Sequence, residues 1–155
     1  MSSPSPTVEA PGGEAYRLIS HGPLALRLRA HLGGLQALLD GHSFWAAGRS
    51  RGDLARMLGH SQAIVSAWQG RELVGFGRAT SDGVFRAVLW DVVVASGHQG
   101  EGLGRRIVGA LLHSPAVARA ERVYLMTTNS SGFYRRLGFS PEHGQELLLR
   151  AQTGR

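Results

Sequence analysis

Residues 92–106 read VVVASGHQGEGLGRR, an apolar strand that passes through a glycine-rich turn into an amphipathic helix. The glycines at positions 100, 102 and 104 remove the side chains that would keep an anion away, and they allow backbone conformations that other residues avoid. The first amides of the following helix have no partner inside the helix. This turn therefore predicts a site for a phosphorylated ligand.

Two better-known phosphate loops are excluded by the same residues. A P-loop has a lysine after its last glycine, and none of the 17 basic residues of the chain is a lysine. A dinucleotide-binding turn needs a small residue where Ile107 stands. The spacing that remains is Gln-x-x-Gly-x-Gly, from Gln99 to Gly104, with Arg105 just inside the helix. A plain strand-to-helix turn is the simpler alternative, and it leaves Gln99 and Arg105 without a role.

Length and charge limit the classes of function. With 155 residues the chain is long enough for one domain with a single core. Its net charge of +6 would suit nucleic acid, but the arginines are scattered along the chain and form no dense run. We therefore expect no nucleic-acid partner, and a ligand with several phosphates is a more economical use for the charge.

The composition also argues against metal and membrane sites. There is no cysteine, so a disulfide, a thiolate metal site and a cysteine nucleophile are all excluded. The seven histidines never show the spacing of a helical zinc site, so we expect no metal. Apolar stretches are shorter than the ~20 residues of a membrane span, and no secretory signal is visible, so a cytoplasmic protein without a membrane partner is the expectation.

Hydrophobic periodicity predicts the organisation of the chain. Residues 1–14 are rich in Ser, Pro and Gly and predict a disordered tail, whereas 15–155 predict a single α/β domain. Its sheet should be mixed and mostly antiparallel, in the order β-α-α-β-β-β-α-β-α-β-β. The predicted elements are a strand at 15–20, helices at 32–39 and 50–58, strands at 64–68, 73–79 and 84–94, a helix at 101–113, a strand at 122–126, a helix at 131–137, and a terminal hairpin of Phe139 with 147–149.

With these motifs in place, the chain resembles the GNAT superfamily of acetyl-CoA-dependent N-acetyltransferases. Two of that family's motifs occur in the right order, the loop at 99–104 and FYRRLGF at 133–139. The order of helices and strands also matches. More narrowly, FWAAGRS at 44–50, ATSDG at 79–83 and WDVVV at 90–94 look like the cyanobacterial and plastid branch, whose members acetylate arylalkylamines such as serotonin and also protein lysines.

The resemblance implies acetyl-CoA as the acetyl donor and assigns residues to it. The pantetheine arm would bond to the exposed amides of Val92, Val93 and Val94, one of which would also stabilise the thioester oxyanion. A plain buried strand is the alternative for this valine run. The remaining residues expected at the cofactor are Gln99, Gly100, Glu101, Gly102, Leu103, Gly104, Arg105, Thr127, Asn129, Phe133 and Tyr134.

Tyr134 stands where family members often place a tyrosine acid for the departing thiolate. The pKa of a phenol is ~10 and that of a thiol is ~8.5, so proton transfer from the phenol to the thiolate is uphill by roughly 2 kcal/mol. Tyr134 therefore either protonates the thiolate or only hydrogen-bonds it. The structural alternative is that Phe133, Tyr134 and Leu137 form the buried face of a short helix.

An acceptor amine with a pKa near ~10.4 must lose a proton before it can attack. Asp91 lies inside an otherwise apolar strand, where burial would raise its pKa and make it a better base. It could equally be a paired structural aspartate. Glu72, His98 and a water chain are the other candidates for the base.

The chain departs from the family pattern at one place. Many relatives carry an Asn or Asp seven residues before the tyrosine, and Thr127 stands there, with Asn129 two residues on. Either residue could supply the polar contact to the cofactor or to water. Trp45, Trp90 and Phe85 are candidates for an aromatic acceptor pocket, although aromatics among strands are more often core.

The resulting expectation is direct acetyl transfer from acetyl-CoA to a primary amine in a ternary complex, with an arylalkylamine such as serotonin favoured. Acetylation of protein lysines or N-termini is the alternative within the same chemistry. A regulatory domain that binds acyl-CoA without turnover is the non-enzymatic alternative. The acceptor is thus a small-molecule amine or a protein amine, and the oligomeric state stays open, a homodimer included.

Overall fold

The computed structural model describes residues 15–152, so the predicted tail at 1–14 lies outside the described part of the chain. One five-stranded sheet has the spatial order β1-β2-β3-β4-β5. Neighbouring strands are antiparallel except β4 and β5, which are parallel, and the predicted mixed, mostly antiparallel sheet is confirmed. The strands are β1 (Tyr16–Ser20), β2 (Ala63–Gln69), β3 (Glu72–Ser81), β4 (Arg86–Val94) and β5 (Arg122–Tyr124).

Helices connect and cover these strands. The longer predicted helices are confirmed, and Ser50 caps the second of them by accepting a hydrogen bond from the Asp53 amide at 3.1 Å. Two one-turn helices, α1 and α5, were not predicted. The helices are α1 (Leu26–Arg29), α2 (Leu32–His42), α3 (Arg51–Gly59), α4 (Leu103–His113), α5 (Pro115–Ala118) and α6 (Ser131–Arg135).

Helix α4 lies unusually close to strand β3. A Cβ atom at Gly75 would stand 2.8 Å from Ile107 Cδ1, and one at Gly77 would stand 2.8 Å from Ile107 Cγ2. A side chain at either position would therefore force Ile107 to shift. The helix buries Leu103, Ile107, Val108 and Leu111. It begins after the turn at 95–102 that follows β4.

The predicted terminal hairpin is wrong. Phe139 lies in no strand, and the leucines at 147–149 are 75–89% exposed without a strand partner among the described residues. Three consecutive leucines do not alternate between a buried and an exposed face, so they specify no register. Phe139 instead stacks edge-to-face on Tyr134, with 5.8 Å between ring centroids. Among residues 15–152, β5 is therefore the last strand of the sheet.

A buried polar network ties β1 to β2. Trp68 Nε1 donates to Ser66 Oγ at 2.8 Å, and Ser66 Oγ lies 2.6 Å from His21 Nε2. With its oxygen accepting from the indole, the Ser66 hydroxyl can donate to a neutral His21. Burial, followed by the charge of Arg27, lowers the pKa of His21.

We expect this network to make folding stability depend on pH. Because the folded pKa of His21 is below its ordinary value of 6.5, the unfolded chain binds more protons in the window between the two values. The contribution of His21 is fully present above 6.5 and is lost as the pH falls through the folded pKa. The free energy of unfolding, measured with urea between about pH 5 and pH 8, should fall less with decreasing pH in His21→Gln than in wild type, because glutamine does not titrate.

The exposed His60 supplies the matched control. His60→Gln removes one exposed imidazole and is measured in parallel. Equal slopes in wild type and His21→Gln would contradict the assignment.

Candidate active site

Strand β4 carries a bulge at its centre. Phe76 pairs with Val93 and Arg78 pairs with Trp90, so two residues of β4 oppose one residue of β3. The first of the two is Asp91, whose φ of 55° lies in the left-handed region. Aspartate tolerates this region better than most residues, and a bulge of this kind bends the strand that carries it.

Beyond Val88, strand β4 has lost its second neighbour. It pairs with β5 from Arg86 to Val88 and not further. On its other side, the Ala95 amide donates to Val74 O of β3 at 2.8 Å. The backbone groups of successive residues in an antiparallel strand point to opposite sides, so the carbonyl of Val94 points away from β3. That carbonyl accepts a hydrogen bond from Gln99 Nε2 at 3.2 Å. The end of β4 therefore has an open edge.

The glycine-rich turn links this edge to helix α4. A 3₁₀ turn over Ser96–His98 leads to Gly100 and Gly102, whose φ values are 83° and 78°. Gly102 is the N-cap of α4, and its carbonyl accepts the first intrahelical bond from the Arg106 amide at 3.1 Å. The amides of the three residues between them have no intrahelical acceptor, which is the arrangement that binds anions.

Two cavities flank the open edge of β4. The glycine groove has a volume of about 450 Å³ and is lined by Val92, Val94, His98, Gln99, Gly100, Gly102, Leu103, Gly104, Arg105, Ser130, Phe133 and Tyr134. The aromatic cavity has a volume of about 410 Å³ and is lined by Phe44, Trp45, Leu89, Trp90, Asp91, Val92, Leu125, Met126, Thr127, Thr128, Asn129, Ser130, Tyr134 and Leu147. Val92, Ser130 and Tyr134 line both, so the two cavities meet at these side chains.

Tyr134 stands at this junction with its ring fixed by two neighbours. Its centroid lies 4.9 Å from that of Phe133 and 5.8 Å from that of Phe139, both edge-to-face. Burial raises the pKa of the Tyr134 phenol above its ordinary value. The phenol therefore keeps its proton at neutral pH and is a hydrogen-bond donor there.

Asp91 is surrounded by positive charge. Arg49 Nη1 and Arg78 Nε donate to its Oδ2 at 2.9 and 2.8 Å, and Arg49 Nη2 reaches its Oδ1 at 3.3 Å. Burial alone would raise the pKa of Asp91, but the hydrogen bonds and charges of the two arginines outweigh it and lower the pKa. The upward shift expected for a base at Asp91 is therefore wrong, and the alternative of a paired structural aspartate fits this geometry.

Most of the expected cofactor residues gather at the glycine groove. Thr127 and Asn129 line the aromatic cavity instead, and Val93 and Glu101 line neither cavity. Val93 is buried in the core, so its side chain has no access to a ligand. Of the three aromatics expected at an acceptor pocket, Trp45 and Trp90 line the aromatic cavity, whereas Phe85 is exposed in the turn before β4.

Sequence reasoning missed several side chains at the site. Ser130 lies at the junction, and Met126 and Leu147 line the aromatic cavity. His98, considered only as a base, lines the glycine groove with its Nδ1 2.7 Å from the Tyr16 hydroxyl. An isolated carboxylate in an apolar strand was the one available signal for the arginines, since such a group requires partners.

Other kinds of site find no support in the described part of the chain. Between residues 15 and 152, no three His, Asp or Glu side chains are grouped so that they could hold a metal ion. None of the helices described there is long and apolar enough to span a membrane.

The comparisons with known proteins agree with this geometry. The model of the acetyltransferase (GNAT) family matches residues 35–139. The chain belongs to this family. The matched range contains the bulged strand, the glycine turn and Tyr134.

Individual relatives differ in what they are named for. The chain is 41% identical over 93 residues to chloroplastic serotonin N-acetyltransferase 2 of Oryza sativa subsp. japonica, covering 56% of this chain and 46% of that protein. It is 37% identical over 73 residues to a histone acetyltransferase of Glycine max, covering 46% and 32%. A GNAT-family structure from Xanthomonas campestris has a TM-score of 0.71 at 24% identity, covering 88% of this chain and 94% of that one. The chain spans about half the length of the first curated relatives it matches.

We expect Gly104→Ala to weaken the binding of CoA about fivefold or more, because the groove depends on a close approach at this residue. A Cβ atom there would stand 3.3 Å from Phe133 Cζ, so this ring, which lines the groove, must shift by a few tenths of an ångström. Calorimetric titration with CoA measures the effect.

Gly109→Ala in the same helix is the matched control, since a Cβ at that position meets nothing within 4 Å. The control should keep the wild-type affinity and gain up to about 1 kcal/mol of stability from its helix propensity. Equal affinities in the two variants would contradict the role of Gly104.

Proposed function

We propose that the protein is an acetyl-CoA-dependent N-acetyltransferase that transfers acetyl directly to the primary amine of an arylalkylamine. The observation that carries this proposal is the junction of the two cavities at Val92 and Tyr134. A donor that lies in the glycine groove can present its thioester there, and an amine in the aromatic cavity can reach the same point.

The chain supplies binding groups that suit CoA. The free amides at the start of α4 and the guanidinium of Arg105 suit the pyrophosphate, and the open edge of β4 suits the amides of the pantetheine arm. The groove's volume of about 450 Å³ belongs to an open channel along these groups. The net charge of +6 favours this polyanion over long range.

In the proposed step, the neutral amine nitrogen attacks the thioester carbonyl carbon. The C–N bond forms, the carbonyl oxygen becomes an oxyanion, and an amide of β4 near Val92 can donate to it. The C–S bond then breaks, the nitrogen loses one proton to solvent, and the departing thiolate takes up a proton from solvent, so that CoA leaves as a thiol. The hydroxyl of Tyr134 donates a hydrogen bond to the departing sulfur, which fits a phenol whose pKa is raised by burial.

The walls of the aromatic cavity favour an aromatic acceptor. Phe44 and Trp45 stack edge-to-face at 5.2 Å, and Trp90 closes the cavity on the sheet side. Such walls bind an aromatic ring by stacking. The relative from Oryza sativa named as a serotonin N-acetyltransferase supports this class of acceptor.

Acetylation of a protein lysine is the second candidate. It is supported by the relative from Glycine max named as a histone acetyltransferase. The edge of the aromatic cavity is also exposed, with Phe44 73% and Leu147 75% accessible. A lysine side chain could enter there, although it offers no ring to the aromatic walls.

The decisive experiment measures release of CoA thiol from acetyl-CoA with arylalkylamines, alkylamines and lysine peptides. We expect arylalkylamines to give the highest kcat/KM, and we expect Tyr134→Phe to lower kcat about tenfold or more, because the hydrogen bond to the leaving sulfur is lost. Tyr124→Phe, in β5 and outside both cavities, should keep the wild-type kcat. Preference for lysine peptides would favour the second candidate, and CoA binding without turnover for any amine would make the protein a binding domain.

Leu147 offers a test of where the acceptor lies. Leu147→Ala should raise the KM for arylalkylamines about three- to fivefold, because it removes about one apolar contact from the cavity wall. Affinity for CoA should stay unchanged. Leu149→Ala, 89% exposed and outside the cavity, is the control and should alter neither constant. A similar KM change in both variants would show that the acceptor does not bind against Leu147.

A further inference from the structure

The connection between α2 and α3 forms one wall of the aromatic cavity. We call residues 43–49 the acceptor loop, because they carry Phe44 and Trp45. The loop contains no helix or strand, and both aromatic rings are exposed. The position of this wall therefore depends on the contacts that hold the loop to the rest of the molecule.

The loop is fastened at several points. The Gly48 amide donates to Asp40 Oδ1 at 2.9 Å, and the Arg49 carbonyl accepts from Gln36 Nε2 at 3.1 Å, so helix α2 holds its backbone. The Arg49 guanidinium reaches the sheet, where it donates hydrogen bonds to both carboxylate oxygens of Asp91. A two-point contact of this kind fixes direction as well as distance.

Asp91 occupies the position in β4 where such a contact has most effect. It is the left-handed residue of the bulge, it immediately precedes Val92, and Val92 lines both cavities. Arg78 holds the same carboxylate from strand β3 at 2.8 Å. One buried carboxylate thus joins the acceptor loop, β3 and the bulge of β4.

We propose that Asp91 is a positioning residue that, through Arg49, sets the acceptor loop against strand β4 and thereby determines affinity for the amine. This inference rests on the proposed transfer to an amine. Asp91 does not act on the reacting nitrogen, because both of its oxygens are held by guanidinium groups and its side chain is only 4% exposed. The proton of the amine then leaves to solvent before the attack.

Arg49→Lys tests the loop contact, because lysine keeps the charge and loses the two-point grip. We expect the KM for arylalkylamines to rise about five- to tenfold, with kcat within about twofold of wild type and CoA affinity unchanged. Arg56→Lys is the matched control. Arg56 is exposed in the last turn of α3 and lines neither cavity, so its variant should keep the wild-type KM. An unchanged amine KM in Arg49→Lys would overturn the proposal.

Asp91→Asn separates positioning from base catalysis. Asparagine tolerates the left-handed conformation, so the bulge can persist while the charge is removed. We expect the amine KM to rise, while the inflection in the pH profile of kcat/KM stays at the pKa of each amine and moves when the amine is changed. An inflection at one pH for all amines that disappears in Asp91→Asn would make Asp91 the base and overturn the proposal.

Hydrogen exchange of the free protein gives a readout that does not require turnover. Arg49→Lys should speed exchange in residues 43–49 and leave α4 unchanged, whereas Arg56→Lys should change neither. If wild type turns over no amine, the proposed function fails, yet faster exchange confined to the loop would still support the anchoring contact. Unchanged exchange in the loop, or loss of protection across the whole chain, would contradict it.

Discussion

Strand β4 has two neighbouring strands at its start and one at its end, and the site depends on this difference. Up to Val88 it pairs with both β3 and β5, and beyond the bulge only β3 remains beside it. The backbone groups of β4 that would bond to a longer β5 are left facing a groove. Because Gly75 and Gly77 let α4 pack directly on β3, the free amides of α4 open onto that same groove. An exposed strand edge and a helix N-terminus thus border the same groove.

The buried charges explain how two cavities can work as one site. A carboxylate inside a sheet is costly unless charged partners satisfy it, and Asp91 has two arginines from different segments. Asp91 is the one carboxylate among the described residues that line the aromatic cavity, and it is already paired, so the cavity offers no free carboxylate to an ammonium ion. Recognition of the acceptor then falls to the aromatic walls, and the neutral form of the amine is the one that the cavity favours.

The glycine turn and the order of the longer elements from β1 to α6 could be predicted from local spacing, whereas the place of Tyr134 came from the family resemblance. The two arginines of Asp91 could not be predicted, since they lie 42 and 13 residues away and no local pattern links them. Burial alone therefore gave the wrong direction for the pKa of Asp91. The predicted terminal hairpin is wrong because the leucines at 147–149 are apolar without alternation. Leu147 lines the aromatic cavity instead of pairing in a strand. The prediction that Phe85 lines an acceptor pocket is wrong, because Phe85 lies in a turn outside the aromatic cavity, where its amide donates to Asp82 Oδ1.

The central claim is that the glycine groove and the aromatic cavity are two halves of one site that meet at Val92 and Tyr134. The most direct test is calorimetric titration with a bisubstrate analogue in which an acetyl bridge joins the sulfur of CoA to the nitrogen of an arylalkylamine. If the halves adjoin, the analogue should bind about a hundredfold more tightly than CoA, because the second half binds at high effective concentration. An analogue that binds no more tightly than CoA itself would contradict the account.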